Sequence, residues 1–262
     1  MTTWTTATCE TNGVRLHYHR TGGDKPPVVL LHGLMGSGAC WTPVARDLEG
    51  DFDLVMPDGR GHGGSSAPAH GYRYDDLATD VAGLVEALAL ARLVLLGHSM
   101  GGMTAAVAAG RVDCRGAVLV DPTFLSPARQ REVSESDVAA QHRRMLALPR
   151  AELVAQNRAR HPHRSAELLE LQAAARQQTA IAALDILTPP NPDYRDVVRA
   201  IDVPILLVIG DDPVVTLEMA TELRELNPRV HIAQVRDAGH GLPFDQPARL
   251  AAVVRAFLRT LA

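Results

Sequence analysis

Residues 93–102 read Leu93-Val94-Leu95-Leu96-Gly97-His98-Ser99-Met100-Gly101-Gly102, a compact apolar run that meets a glycine-framed serine. An alanine-rich, helix-forming stretch follows at once. Strand, sharp turn and helix are the setting in which G-x-S-x-G lifts a serine hydroxyl above the edge of a sheet. Such a turn needs a strained backbone at Ser99 and no side chains crowding it, and Gly97 and Gly101 supply that room. The N-terminus of the following helix then aims its free N–H groups at the same place.

Outward from this turn, short apolar runs alternate with helical stretches. Runs at Pro27–Leu31, Phe52–Met56, Gly116–Val120, Ile205–Ile209 and Val230–Val235 predict strands. Leu77, Val81, Leu84, Val85 and Leu88 recur at helical spacing and predict a helix over 75–90, and another helix closes the chain from about Pro247. This order predicts an α/β fold with a mostly parallel, doubly wound sheet. Thr6–Glu10 and Val14–His19 flank Asn12-Gly13, which predicts an N-terminal antiparallel hairpin at the sheet edge. Residues 125–200 break the alternation. They hold no β-like run, are rich in Ala, Arg, Gln and Glu, and are punctuated by prolines. Three or four helices are expected there, with Ser134 and Ser165 as N-caps. The organisation expected is a core of residues 1–124 and 201–262 with a helical insertion at 125–200.

Composition narrows the function classes. The chain has 262 residues, 46% hydrophobic and 21% charged, with net charge -4. That is ordinary for a globular protein and carries no basic footprint for nucleic acid. No apolar run is long enough to span a bilayer. The start, Met1-Thr2-Thr3-Trp4, has no basic or apolar leader pattern. Cys9, Cys40 and Cys114 are too few and scattered for a disulfide framework, so a reducing, cytoplasmic setting is the default reading. Lys25 is the only lysine and sits in a Gly/Pro loop, which argues against a Schiff-base mechanism. The abundance of arginine reads as coding bias. No phosphate-cradling glycine loop beyond the serine turn and no ligand cluster points to a cofactor or a metal.

A nucleophilic serine needs a base and an oxyanion hole. His32-Gly33-Leu34-Met35-Gly36 ends an earlier strand, so the N–H groups of Leu34 and Met100 are the expected oxyanion donors. Among the 11 histidines, His240 in Asp237-Ala238-Gly239-His240-Gly241 follows the last strand, at the same carboxyl edge as Ser99. His32 and His62 read as loop-holding residues. His98 points away from its neighbour Ser99. His161 and His163, around Pro162, lack nearby ligand partners in sequence. The acid that orients the base is expected to be Asp212, after the penultimate strand. Asp121, which ends the Gly116–Val120 strand, is the alternative, and then Asp211.

Together, His32-Gly33, Pro57-Asp58-Gly59-Arg60-Gly61-His62-Gly63-Gly64-Ser65, the Ser99 turn, Asp211-Asp212-Pro213 and Gly239-His240-Gly241 resemble the α/β-hydrolase fold superfamily, over essentially the whole chain. The resemblance implies a helical cap after the sixth strand, where residues 125–200 sit. It also implies the order Ser99, Asp212, His240. The acid loop departs from many relatives, since only Asp211 separates Gly210 from Asp212. The activity implied is hydrolysis of a small-molecule carboxylic ester or lactone through an acyl-enzyme. A lyase, a biosynthetic cyclase, a perhydrolase or haloperoxidase, and a ligand-sensing receptor are the other uses of such a scaffold. The oligomeric state is open, a homodimer among the options. The cap, lacking Trp and with Tyr194 alone as tyrosine, is expected to give a mainly aliphatic pocket wall from Leu125, Leu146, Leu148 and Leu153.

Overall fold

The computed structural model describes residues 4–261, so Met1-Thr2-Thr3 of the start lies outside the described residues. Strands β1 (Thr5–Thr11) and β2 (Val14–Arg20) form the expected hairpin. Asn12 (φ 47°) and Gly13 (φ 71°) both take the left-handed conformation that a tight two-residue hairpin turn demands. Then come β3 (Pro27–Leu31), α1 (Thr42–Leu48), β4 (Asp53–Pro57), α2 (Tyr74–Ala87), β5 (Leu93–His98), α3 (Met100–Ala109) and β6 (Cys114–Val120). The chain closes with β7 (Ile205–Ile209), a helix at Leu217–Leu226, β8 (Val230–Gln234), a short helix at Leu242–Asp245 and a long one at Pro247–Thr260.

The eight strands form one sheet in the order β1-β2-β4-β3-β5-β6-β7-β8. β1, β2 and β4 pair antiparallel, and β4 to β8 pair parallel through β3. Burial on both faces explains the unbroken apolar runs. Along β5, Leu93 and Leu95 pack into one apolar layer, while Val94 and Leu96 pack into the other. A strand buried on both sides has no place for alternating polar residues.

Between β6 and β7 lie α4 (Pro127–Glu135), α5 (Val138–Leu146), α6 (Arg150–Arg160), α7 (Ala166–Gln177), a 3₁₀ stretch (Ile181–Leu187) and α8 (Tyr194–Ala200). This is five α-helices where three or four were expected. Ser165 caps α7 by accepting the Leu168 N–H at 3.2 Å. Ser134 lies inside α4 instead, whose cap is Ser126, followed by Pro127 at the first helical position. The leucines of this region do not face the pocket beside Ser99. Leu153 packs with Val154, Leu169 and Ala173, and Leu148 lies against them. Short helices must bury their apolar stripes on one another to be stable at all, so Leu148 and Leu153 go to the helix–helix seam, while Leu125 lines a separate cavity. No helix among the described residues is long and apolar enough to cross a membrane.

Candidate active site

The turn after β5 holds Ser99 at φ 55°, ψ -119°. This is a left-handed conformation that costs of order 1–3 kcal/mol for a residue with a side chain. The surroundings over-determine it. A Cβ on Gly97 would come within 2.0 Å of the Gly101 carbonyl oxygen, and one on Gly101 within 2.1 Å of the Leu31 carbonyl oxygen. The two glycines therefore let the turn press against α3 and β3. The Ser99 N–H donates to the Val120 carbonyl at 3.1 Å, and its own carbonyl accepts from Gly102, Met103 and Thr123.

Ser99 Oγ lies 2.9 Å from His240 Nε2 and 3.4 Å from Thr123 Oγ1. His240 Nδ1 lies 2.6 Å from Asp121 Oδ2. The carboxylate fixes Nδ1 as the protonated nitrogen and leaves Nε2 free to accept the serine proton. The carboxylate is sealed and the ring is open: the Asp121 side chain is 0% exposed and that of His240 43%. Asp121 also accepts the Val214 N–H at 3.0 Å and the Val215 N–H at 2.9 Å, so both of its oxygens are satisfied.

The carboxylate against His240 is thus Asp121, and the expectation of Asp212 is corrected. The shortened loop gives the reason. The Asp211 N–H donates to the Ala238 carbonyl at 2.7 Å, and Asp212 pairs with Gly239 in a strand-like bridge. These contacts zip the loop onto the one that carries His240 and leave Asp212 exposed. Asp211 is not seen to bond His240 either. Its carboxylate accepts the Asp237 N–H at 2.7 Å and the Gln234 amide at 3.2 Å, which steadies the turn before His240.

The other histidines sort by their partners. His32 Nδ1 donates to the Gly33 carbonyl at 2.8 Å, and its Nε2 accepts the Gly59 N–H at 2.9 Å. His62 Nε2 accepts the Met35 N–H at 3.3 Å. Both bind loops together, and a Cβ on Gly33 would sit 3.2 Å from Ser99 Cβ, so this backbone passes close to the serine. The His98 ring turns away from Ser99, and its Nε2 donates to the His240 carbonyl at 2.7 Å. That clamp on the loop of the base is not visible in the sequence.

Burial pushes His62 down to about 3, with nearby His32 adding to it, and burial and nearby His240 do the same to His98. Below pH about 6.5 the unfolded chain binds protons that these two native rings refuse until about pH 3. Stability is therefore full above that range and falls as pH drops, by up to about 1.4 kcal/mol per pH unit for each ring. Urea unfolding at pH 6.5 and 4.5 should show a clear loss, about 2 kcal/mol per ring, and an unchanged midpoint would contradict buried neutral rings.

Two groups place three ligand-type side chains close together: His17, His19 and Asp58, and His161, His163 and Asp245. Folding thus brings His161 and His163 a carboxylate that the sequence did not. Asp245 Oδ1, 2.7 Å from His163 Nε2, also carries the Arg164 guanidinium at 2.7 Å. The Asp58 oxygens accept the Gly38 and Gly64 N–H groups at 2.7 and 2.8 Å. Both carboxylates therefore have protein partners already.

Beside Ser99 and His240 opens a cavity of about 370 Å³. Its floor includes Gly33, Leu34 and Met35, and its wall includes Asn157, Arg160, Arg164, Gln172 and Arg176 from the helical region. The expected aliphatic wall is corrected: what the helices turn toward the cavity is polar and cationic.

A sequence profile of the alpha/beta hydrolase fold matches residues 26–247. The chain belongs to the alpha/beta hydrolase fold family. It is 32% identical over 244 residues to N-formylmaleamate deformylase of Pseudomonas putida, with 89% of each chain covered. It is 28% identical over 241 residues to 2-(acetamidomethylene)succinate hydrolase of Mesorhizobium japonicum, with 84% of each covered. Among solved structures, an esterase of Thermogutta terrifontis with malate bound superposes with a TM-score of 0.79 at 26% identity, covering 99% of both chains. These relatives are hydrolases, and this alpha/beta hydrolase is an enzyme of the same superfamily.

Proposed function

We propose that this chain is a serine hydrolase that cleaves a carboxylic ester or lactone, or a related acyl bond, through an acyl-enzyme. The observation that carries the reading is the unbroken hydrogen-bonded line from Ser99 Oγ through His240 to Asp121, at 2.9 and 2.6 Å. His240 Nε2 takes the Ser99 proton as Oγ attacks the acyl carbon. Asp121 holds the ring and stabilises the imidazolium that forms. The N–H groups of Leu34 and Met100 receive the developing oxyanion. The imidazolium then gives its proton to the leaving group, and a water molecule repeats the steps in reverse order to release the acid. The names of two relatives, a deformylase and an acetamidomethylene hydrolase, support extending the bond cleaved to C–N acyl bonds. Residues 125–200 are the cap of this reading: they wall the cavity and set which acyl groups enter, while the core supplies the chemistry.

A fluorophosphonate tests the reading directly. At neutral pH, intact-mass analysis should show one adduct on the wild-type chain and none on Ser99→Ala. A folded wild-type chain that stays unlabelled, or one labelled elsewhere, sinks it.

A further inference from the structure

The cavity beside Ser99 has an unbalanced charge. Arg160, Arg164 and Arg176 line it, and no Asp or Glu does among the described residues. Arg164 is fixed. Its side chain is 7% exposed, its Nε donates to Asp245 at 2.7 Å, and its guanidinium lies 5.4 Å from the centre of the Phe244 ring. A Cβ on Gly241 would meet Arg164 Nη2 at 2.6 Å, so this cation rests against the backbone next to His240. Arg160 and Arg176 differ from Arg164 in having no carboxylate partner among the described residues. Elsewhere in the helical region Arg129, Arg144, Arg195 and Arg199 pair with Glu132, Asp137, Glu222 and Asp196, while Arg131, Arg143, Arg150 and Arg158 have no carboxylate partner among the described residues; what sets Arg160 and Arg176 apart is that both line the cavity beside Ser99. Burial, then nearby Arg160, pushes Arg176 below the usual arginine range, which places two like charges close together without a counter-ion. Each ends its helix, where a cation is favourable, but that explains one exposed arginine at a time and not two meeting at one cavity. With Asp245 counted against the three arginines, the wall keeps a formal charge of +2.

We propose that Arg160 and Arg176, backed by Arg164, form a carboxylate-binding subsite, so that the acyl substrate cleaved at Ser99 carries a carboxylate at its non-reacting end. This rests on the hydrolase reading above and names its substrate class. A guanidinium offers paired N–H donors that match a carboxylate edge. Asn157 and Gln172 add neutral donors on the same wall. The wall forms at the C-terminal ends of α6 and α7, not at helix N-termini, which favours a singly charged carboxylate over a phosphate.

Two measurements test it separately from the chemistry. In the first, adipate is titrated calorimetrically into Ser99→Ala at low salt. It should bind, and adding Arg160→Gln and Arg176→Gln should weaken it by roughly 10–100-fold, the size of a charge-assisted contact. No adipate binding, equal binding after the arginine changes, or tighter binding of inorganic phosphate overturns the subsite. The second compares mono-4-nitrophenyl adipate with 4-nitrophenyl hexanoate, which replaces the distal carboxylate with a methyl. The wild type should favour the charged ester, and the ratio of the two kcat/KM values should fall by the same factor in the double arginine variant. Equal losses on both esters, or no wild-type preference, also overturn the subsite. Turnover of neither ester together with no fluorophosphonate adduct sinks the hydrolase reading instead, and the calorimetry still decides the subsite.

Discussion

Ser99→Ala is expected to lower kcat on an activated ester by about 10⁶-fold, the loss seen when the nucleophile of a working Ser-His pair is removed. His240→Ala should cost about as much, and the double variant should lose no more than either single one. Non-additivity is the physical signature here. Without the hydroxyl, the imidazole at 2.9 Å has no proton to take, and without the imidazole the hydroxyl stays a weak nucleophile. On the proposed mechanism the residual rate over water then comes from the oxyanion donors assigned to Leu34 and Met100 and from binding. Alanine keeps the Cβ that the turn at φ 55° already accommodates, so folding should be nearly unchanged. Steady-state kinetics with a burst-phase measurement on all three variants checks this. Multiplicative losses, or a Ser99→Ala enzyme within about tenfold of wild type, would mean that the pair does not act as one unit.

Much of this site was legible because its signals are local. The Ser99 turn is written in ten consecutive residues, where Gly97 and Gly101 each answer to a close approach by a carbonyl and Gly102 to one by Pro122. The parallel sheet was legible because strands buried on both faces must be apolar throughout. Which aspartate meets His240 was not legible, because Asp121 and Asp212 both follow a strand, precede a proline and lie at the correct edge. What separates them is sheet order. β6 lies directly beside β5, so its end meets the Ser99 turn, while Asp212 follows β7, one strand further out. The loss of one residue from the Gly210–Asp212 loop was visible, but its consequence needed the Asp212–Gly239 bridge to be seen. The arginine wall was hidden for another reason. Arg160, Arg164 and Arg176 converge only because α6 and α7 pack together, and in a chain with one lysine they look like background composition.

The same comparison of carboxylates gives the second large effect. Asp121→Asn should lower kcat by about 10⁴-fold while Asp212→Asn stays within a few-fold of wild type. An amide at position 121 offers one acceptor oxygen where the carboxylate offers two. Three donors compete for it: the N–H groups of Val214 and Val215 and the Nδ1–H of His240. If the amide oxygen takes the Oδ1 place, it keeps the Val215 N–H, the NH₂ faces both the ring and the Val214 N–H, and His240 must turn Nδ1 into an acceptor and move its proton to Nε2. A ring protonated at Nε2 cannot take the Ser99 proton, so the fluorophosphonate reaction should slow along with turnover. If the oxygen takes the Oδ2 place, it keeps the ring and the Val214 N–H, and the Val215 N–H faces the NH₂; in either arrangement one buried backbone N–H loses its partner, which costs about 1–3 kcal/mol of stability. The two arrangements separate by measurement, since both shift the urea midpoint but only the first also brings the rate defect. Asp212→Asn should do neither, because that side chain is exposed and its loop is held through backbone contacts. A large kcat loss in Asp212→Asn with Asp121→Asn near wild type, both folded by circular dichroism, would move the acid to the loop after β7 and refute the assignment to Asp121.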